Sequence, residues 1–168
     1  MDVVIQNPSR AQGILGYAYA NLPFETKSTT DVATDDAVTN DLESSYRKMA
    51  QGSWAATNDP MSQWVARKAT IQYINIFLEN VDNVKWSAVP QKQQMFKDHV
   101  SGEAYALRAL NMYYLLRNHG GWANGQLLGV PVITYTEGPG TDFNKPRDTF
   151  QACVEQIYAD IDVAIELL

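Results

Sequence analysis

The sequence predicts an all-α fold of helix pairs joined by long loops, with at most a short extended segment near residues 130–135. Apolar residues recur at spacings of three and four in four separate segments, and this spacing is the period of an amphipathic helix. One segment, residues 96–116, is apolar over most of its circumference, which indicates a helix inside a layered helical protein. Residues 120–146 hold six of the ten glycines and three of the seven prolines, which predicts one long excursion between helices.

The first two helices are predicted from their start signals. Asn7 followed by Pro8 is a favoured beginning for a helix. Residues 24–40 are polar and rich in Thr and Asp, so they predict an irregular segment. A second helix of about three turns is predicted at 41–51, and a loop follows at 53–60.

The third helix, at about 61–81, is predicted to be amphipathic. Its apolar face carries Trp64, Ile71, Ile74, Leu78 and Val81. Its opposite, polar face carries Lys68, Gln72, Asn75, Glu79 and Asp82. This pattern places Trp64 in the core and the polar set away from it.

The fourth helix contains three residues with predicted packing roles. Gly102 in the middle of the helix costs roughly 1 kcal/mol relative to alanine, so a close helix contact is expected there. Glu103 falls on an apolar stripe, where a buried carboxylate needs a partner. Glu103 and Arg108 do not share a face, so each is predicted to pair with a neighbouring helix and fix helix packing. The stripe consists of Phe96, Val100, Leu107, Leu110 and Tyr114, while Arg108 and Asn111 belong to the remaining side.

The fifth helix is predicted to begin near Thr149, with Asp148 and Gln151 as a capping box. Cys153 lies at an apolar position and is predicted to be a small core residue. No stop signal follows the helix at Leu168, so the natural chain is expected to continue. The predicted apolar face carries Phe150, Val154, Ile157, Ile161, Ala164 and Leu168.

Composition and charge exclude several classes of function. The formal net charge is -6, and the 13 Lys and Arg residues form no cluster, which argues against nucleic acid and anionic membrane surfaces. No run approaches the roughly 20 apolar residues that span a bilayer, and no secretory signal follows Met1. The single cysteine offers neither a disulfide nor a zinc site. No nucleotide-, metal- or nucleophile-bearing motif occurs, so neither a cofactor nor a catalytic centre is predicted.

Trp54, Asn58 and Asp59 form the candidate ligand-binding site. A sugar ring has an apolar face that can stack on an indole, and hydroxyls that need amide or carboxylate partners. Trp54 lies in a predicted loop, where exposure of an apolar ring needs a reason. The alternative is that Trp54 packs onto the helices as a plug of the core.

The acidic residues of the irregular segment admit more than one interpretation. Paired carboxylates act as acid and base in glycoside hydrolases, and carboxylates bind calcium, although this spacing is not that of an EF-hand. A solvated loop with helix-capping aspartates is favoured over both. The residues concerned are Asp31, Asp35, Asp36 and Asp41.

Two further tryptophans, Trp86 and Trp122, lie in loops beside helix ends. Both are predicted to pack under these loops, and Trp122 is expected to cover a helix terminus. The two histidines, His99 and His119, are 20 residues apart with no nucleophile pattern near them. Neither pair therefore indicates a catalytic site.

Three sequence blocks stand in a recognisable order: INIFLENV at 74–81, GEAYALRALNMYYLLRNHGG at 102–121 with GVPVI at 129–133, and PRDT at 146–149 leading into VEQIY at 154–158. Together they resemble the outer-membrane nutrient-binding lipoproteins of the SusD/RagB type. Members typically show a GEA-x-x-LRA-x-x-Y-x-x-L helix, a Gly-Gly end and a Gly-Val-Pro-Leu-Ile strand. The resemblance covers residues 61–168 well and 1–60 loosely.

The resemblance implies that residues 1–168 are a single helical N-terminal portion of a longer protein, with degenerate tetratricopeptide-like helix pairs. The offset of about 30 residues between the third and fourth helix starts is near the period of about 34 in such repeats. It also implies a non-enzymatic protein, surface-exposed at the outer membrane, that captures glycans or other nutrients and delivers them to a SusC-type TonB-dependent transporter. Membrane attachment is expected only through a lipid anchor that this chain lacks.

Two other functions stay open. A helical-repeat adaptor that binds a protein or peptide partner in its groove needs neither a glycan nor a membrane anchor. An enzyme that uses the Asp31–Asp41 cluster needs paired carboxyl groups with a raised pKa in a concave pocket.

Overall fold

The computed structural model describes residues 6–23, 29–55 and 57–168. Residues 24–28 of the predicted irregular segment therefore lie outside the described residues, as does Ala56 of the predicted loop. Five α-helices and one small hairpin account for the regular structure of the described part, so the all-α prediction is confirmed.

The chain divides into two compact units, Met1–Leu22 with Gln63–Leu168, and Pro23–Ser62. The larger unit contains α1 (Pro8–Ala20), α3 (Trp64–Asn80), α4 (Pro90–His119), α5 (Phe150–Leu167) and a hairpin of β1 (Gly121–Ala123) and β2 (Gln126–Leu128). The smaller unit contains a 3-10 turn at Thr29–Ala33 and α2 (Ser45–Ala50).

Side-chain caps place the beginnings of α1 and α2. Asn7 Oδ1 accepts a hydrogen bond from Ser9 N at 3.0 Å, which confirms the predicted first cap. The prediction for α2 is wrong at its start, because Asp41 holds a separate turn by accepting from Glu43 N at 2.9 Å. The hydroxyl of Ser44 caps the helix instead, so α2 begins four residues later than predicted.

The core of the larger unit consists of two clusters on either side of α4. In the first, α1 and α3 pack against the N-terminal half of α4. In the second, Ile71 of α3 and the C-terminal half of α4 meet Val130 and Cys153. Cys153 is fully buried, as predicted, and burial raises the pKa of its thiol. The first cluster is Ala11, Leu15, Ala18, Ile74, Phe77, Val81, Val84, Val100, Ala104 and Leu107.

Part of the polar face of α3 is covered by another segment, which corrects the amphipathic prediction, although Glu79 and Asp82 of that face are exposed. Gln72 donates to Glu137 O at 2.8 Å and accepts from Glu137 N at 3.0 Å. Glu79 accepts from Thr136 N at 2.6 Å. Asn75, between them, is fully buried. These side chains therefore serve as hydrogen-bonding partners for the main chain of the excursion.

The segment 130–135 is consequently not a strand, which agrees with the prediction of at most a short extended segment there and differs from the strand of the family pattern. Asn75 Nδ2 donates to Ile133 O at 3.0 Å and to Tyr135 O at 2.9 Å. A helix side chain thus satisfies carbonyl groups that a neighbouring strand would otherwise pair. The described strands lie earlier, at β1 and β2, and pair with each other. Leu128 of β2 also forms an isolated antiparallel bridge with Thr149.

A buried ion pair joins α4 to α5. Arg108 donates from Nε to Asp160 Oδ2 at 2.8 Å and from Nη2 to Asp160 Oδ1 at 2.7 Å, and both side chains are buried. Arg108 Nη1 donates to Asn75 Oδ1 at 3.0 Å and lies 3.4 Å from Thr134 O. One guanidinium thereby links α3, α4, α5 and the excursion, although the sequence places Arg108 outside the apolar stripe of α4.

Glu103 and Gly102 mark two further contacts of α4. Glu103 lies 3.2 Å from His99 Nε2, and its carboxylate acts on the hydroxyl of Tyr19 in α1. Burial raises the pKa of the Tyr19 hydroxyl, and the Glu103 carboxylate raises it further. Gly102 lies where α5 ends, and a Cβ there would approach Leu168 Cγ to 2.8 Å.

The predicted capping box of α5 is wrong. Thr149 is the cap and accepts from Ala152 N at 3.1 Å. Asp148 Oδ2 instead accepts from Val132 N at 2.8 Å, so its carboxylate holds the excursion. Gln151 donates to Glu155 one turn further along the helix.

Apolar side chains remain exposed on the outer sides of α4 and α5. The interior position predicted for α4 is therefore incomplete, because Phe96, Leu110 and Tyr113 face solvent. The apolar face predicted for α5 is confirmed for Phe150, Val154 and Ile157, which pack on the second core cluster, and for the buried Ala164. It is wrong for Ile161 and Leu168, which are exposed. An exposed stripe runs along α5 through Tyr158, Ile161, Ile165 and Leu168.

We expect Asp160→Ala to lower the free energy of unfolding by about 3–5 kcal/mol, because it leaves the Arg108 charge buried without its partner. Denaturant unfolding measures this change. Asp162→Ala removes an exposed carboxylate from the same helix and should change the free energy of unfolding by no more than about 0.5 kcal/mol. Equal losses in the two variants would contradict a specific role for the pair.

Candidate functional site

The loop before Asn58 presents the indole of Trp54 outwards. Trp54 is 65% exposed, so it does not plug a core among the described residues. The loop is compact, because Asn58 N donates to Ala55 O at 2.8 Å and the two residues form an isolated antiparallel bridge. A flat aromatic face therefore stands on a short, internally bonded loop.

Asn58 and Asp59 lie beside Trp54 in the same loop and each make one supporting hydrogen bond. Asn58 Nδ2 donates to Ser53 O at 2.7 Å, which brings this amide against the residue that precedes Trp54. Asp59 Oδ1 accepts from Met61 N at 3.1 Å. Asn58 Oδ1 and Asp59 Oδ2 make no hydrogen bond in the described part of the chain. Each can accept one from a ligand hydroxyl.

An open depression of about 380 Å³ lies in the same unit. Arg47 is the one ionisable side chain among the described residues of its lining, and Arg47 Nη1 donates to Thr39 O at 3.1 Å. Within residues 29–55 and 57–168, Arg47 has no carboxylate partner, whereas the adjacent Lys48 is paired with Glu43 at 2.6 Å. The depression thus combines free guanidinium donors, hydroxyls and small apolar groups. Its lining is Val32, Thr34, Ala37, Val38, Thr39, Arg47, Ala50 and Gln51.

The aspartates of this unit do not form a metal site in the structure as described. Asp35, Asp36 and Asp41 are exposed. Asp31 accepts from the Thr34 hydroxyl through its main-chain oxygen, at 2.7 Å, rather than through its carboxylate. Across the described residues, no three acidic, histidine or cysteine side chains stand close enough to hold a metal ion. The expected helix-capping role is wrong, because Ser44 caps α2.

The other tryptophans are placed differently from one another. Trp86 packs against the first core cluster, with its ring 6.3 Å from that of Phe77, as predicted. Trp64 is half-exposed at the beginning of α3 and packs edge-on against His119, so its predicted core position is wrong. Trp122 is 76% exposed on β1, which contradicts the prediction that it packs under a loop.

Several important side chains were not identified from the sequence. Asp160 and Asn75 sit at polar positions of helical patterns, and only the structure shows that a second element covers them. Arg67 is buried with Nη1 donating to Asn111 at 3.1 Å and with Nε lacking a partner. Burial lowers the pKa of Arg67. No sequence pattern distinguishes Arg47, because its availability to a ligand depends on which carboxylates pair with the other basic side chains.

None of the described helices is long and apolar enough to cross a membrane.

A family model for SusD-like proteins, described as starch-binding and associating with the outer membrane, matches residues 7–168. A SusD-like protein from Bacteroides fragilis superposes with a TM-score of 0.79 at 16% identity, covering 100% of this chain and 31% of that one. A putative sugar-binding protein from Bacteroides vulgatus gives 0.74 at 24% identity, covering 98% and 38%.

A SusD superfamily protein from Bacteroides thetaiotaomicron gives a TM-score of 0.54 at 22% identity, covering 72% of this chain and 26% of that one. No curated protein matches the chain. The chain thus spans about a third of the length of these solved structures.

We expect Trp54→Ala to change the free energy of unfolding by no more than about 0.5 kcal/mol, because an exposed indole loses little packing. Trp86→Ala should cost about 2–3 kcal/mol, since that ring packs on a core cluster and its removal leaves a cavity. Thermal unfolding followed by circular dichroism compares the two. A comparable loss in both variants would identify Trp54 as a structural plug.

Proposed function

Because the chain belongs to the SusD-like family, we propose that it captures glycans at the outer membrane and releases them chemically unchanged. The observation that carries this proposal is the exposed indole of Trp54 on a short bonded loop. An exposed Trp on an ordered loop is the kind of residue that dominates binding energy in recognition sites. The family description, starch-binding in association with the outer membrane, agrees with this chemistry.

In the proposed site, one pyranose ring stacks its C–H face on the Trp54 indole. The partly positive hydrogen atoms of the C–H groups then contact the negative face of the aromatic ring. The free oxygens of Asn58 and Asp59 accept hydrogen bonds from sugar hydroxyls. This division of labour, an apolar plane with polar groups beside it, is what an amphipathic sugar ring requires.

The depression beside α2 supplies donors for a neighbouring sugar unit. Arg47 retains guanidinium N–H groups that no carboxylate of the described residues neutralises. Hydroxyl and ring oxygens of a glycan accept such charge-assisted hydrogen bonds, which are stronger than neutral ones. The apolar side chains Val32 and Val38 line the same depression and match the apolar faces of sugars.

The wider biological setting belongs to the same proposal. The glycan is delivered to a SusC-type TonB-dependent transporter by a surface-exposed, lipid-anchored protein, of which these residues are the N-terminal portion. The length of the solved relatives supports a longer protein. The exposed stripe on α5 supports it too, because an apolar face of this kind marks a surface that another structure covers.

The α5 stripe also favours a second candidate function, protein or peptide binding by an adaptor. Tyr158, Ile161 and Ile165 form an apolar row at helical spacing, as in helix-mediated contacts. Loss of partner binding after Ile165→Glu, with glycan binding absent, would favour the adaptor.

We test glycan capture by titrating the 168-residue chain against a panel of neutral and acidic oligosaccharides in a calorimeter. Trp54→Ala should weaken binding about tenfold, in line with about 1.4 kcal/mol of lost stacking. Trp54→Phe should retain most of the affinity, because a smaller ring still offers an aromatic face.

Two matched controls accompany this titration. Phe143→Ala removes another aromatic side chain, 70% exposed, from the larger unit, and should leave affinity unchanged. Arg47→Gln should weaken binding roughly fivefold, whereas Lys48→Gln, one residue away, should not. Absence of binding to every glycan would overturn the proposed function. Binding that ignores Trp54 and Arg47 would overturn the proposed site.

A further inference from the structure

The hairpin of the larger unit presents an aromatic side chain that the proposed site does not use. Trp122 lies directly opposite Leu127, which is 41% exposed. Asn124 has a φ of 51° and Gly125 a φ of 77°, the two positive values that a type I′ turn requires. Since Trp122 and Leu127 are cross-strand partners, their side chains stand on one face of the ribbon.

The base of this hairpin is held by Arg147. Its Nε donates to Gly129 O at 2.7 Å, and its Nη2 donates to His119 O and lies 3.4 Å from Leu128 O. Gly129 N also donates to Asp148 O at 2.8 Å. The strands are therefore tied to the end of α4 on one side and to the start of α5 on the other. A ring presented from such a base loses little conformational freedom when it binds.

The exposed apolar face of the hairpin is by itself much smaller than a protein interface. A stable protein interface buries about 800 Å² on each side, and a single aromatic side chain supplies about 150–250 Å². Trp122 with Leu127 forms an apolar plane of the size of one or two rings. A flat ring with an apolar C–H face has about the same area as this plane, and its C–H groups suit the negative face of the indole.

The polar groups beside this plane suit hydroxyls. A two-residue turn makes Ala123 and Gln126 the pair that exchanges hydrogen bonds. The main-chain N–H and C=O groups of Trp122 therefore point outwards at the outer edge of β1, whereas the outer edge of β2 runs beside Asp148 and Thr149. The amide of Asn124 is exposed at the tip. Residues 121–128 contain no ionisable side chain, which favours an uncharged ligand.

We propose that Trp122, with Leu127 beside it, is a second glycan contact that stacks one neutral sugar ring. This inference rests on the proposed function and adds a contact in the larger unit, whereas Trp54 belongs to the smaller one. The two contacts engage glycans independently of one another.

The four indole N–H signals of the chain test both contacts in one titration. The ¹⁵N-labelled protein is titrated with maltotriose, maltose as a shorter probe and tri-galacturonic acid as an acidic one, and Trp→Phe variants assign the signals. The Trp122 signal should shift saturably with the neutral probes and not with the acidic one. Trp86, packed on the core, is the internal control and should not move.

Substitutions then connect the shift to the hairpin. Leu127→Ala should weaken the affinity read from the Trp122 signal about threefold, and Arg147→Gln should weaken it through loss of the base, while both leave the Trp54 titration unchanged. Movement of the Trp54 signal alone would overturn this inference and leave the proposed function intact. Movement of the Trp122 signal alone would support it and overturn the Trp54 site. No movement of either signal would overturn both.

Discussion

The buried pair of Arg108 and Asp160 is the interaction on which the larger unit depends. A charge inside a protein is stable only with an opposite charge and satisfied hydrogen bonds. Both Asp160 oxygens accept from Arg108 Nε and Nη2, and Asn75 Oδ1 and the carbonyl of Thr134 approach its third nitrogen, Nη1. Three helices and the excursion must therefore occupy fixed positions at one point. The exposed surfaces, including the hairpin, are built on this fixed frame.

The polar row on α3 performs a task that a β-strand performs in mixed folds. Gln72, Asn75 and Glu79 bond the main chain of residues 133–137 in succession. The excursion thereby lies along a helix without joining a sheet, and its polar groups are satisfied by side chains. The hairpin of β1 and β2 lies at one end of the excursion, and the capped start of α5 lies at the other. An all-α protein can in this way hold a long, ordered, non-helical segment.

Helical periodicity predicted four of the five helices, because burial on one side leaves a regular mark in the sequence. It mispredicted Asn75, since a polar side chain that bonds buried main chain has the same spacing as one that meets water. The prediction for Trp122 is also wrong, because no local pattern distinguishes a loop aromatic that packs from one that projects. The sequence groups Trp54, Asn58 and Asp59 into one candidate site because they are close in the chain. It does not predict the depression with Arg47, because the walls of that depression come from separate segments.

The separation of Arg108 from Asp160 has a consequence during protein synthesis. The two residues are 52 positions apart, and ribosomes add roughly 5–20 residues per second. Arg108 therefore waits roughly 3–10 s for its carboxylate after it is added to the chain. During that interval, α4 cannot bury this side without burying a lone charge. The longest helix of the described residues therefore completes its packing only after α5 has been made.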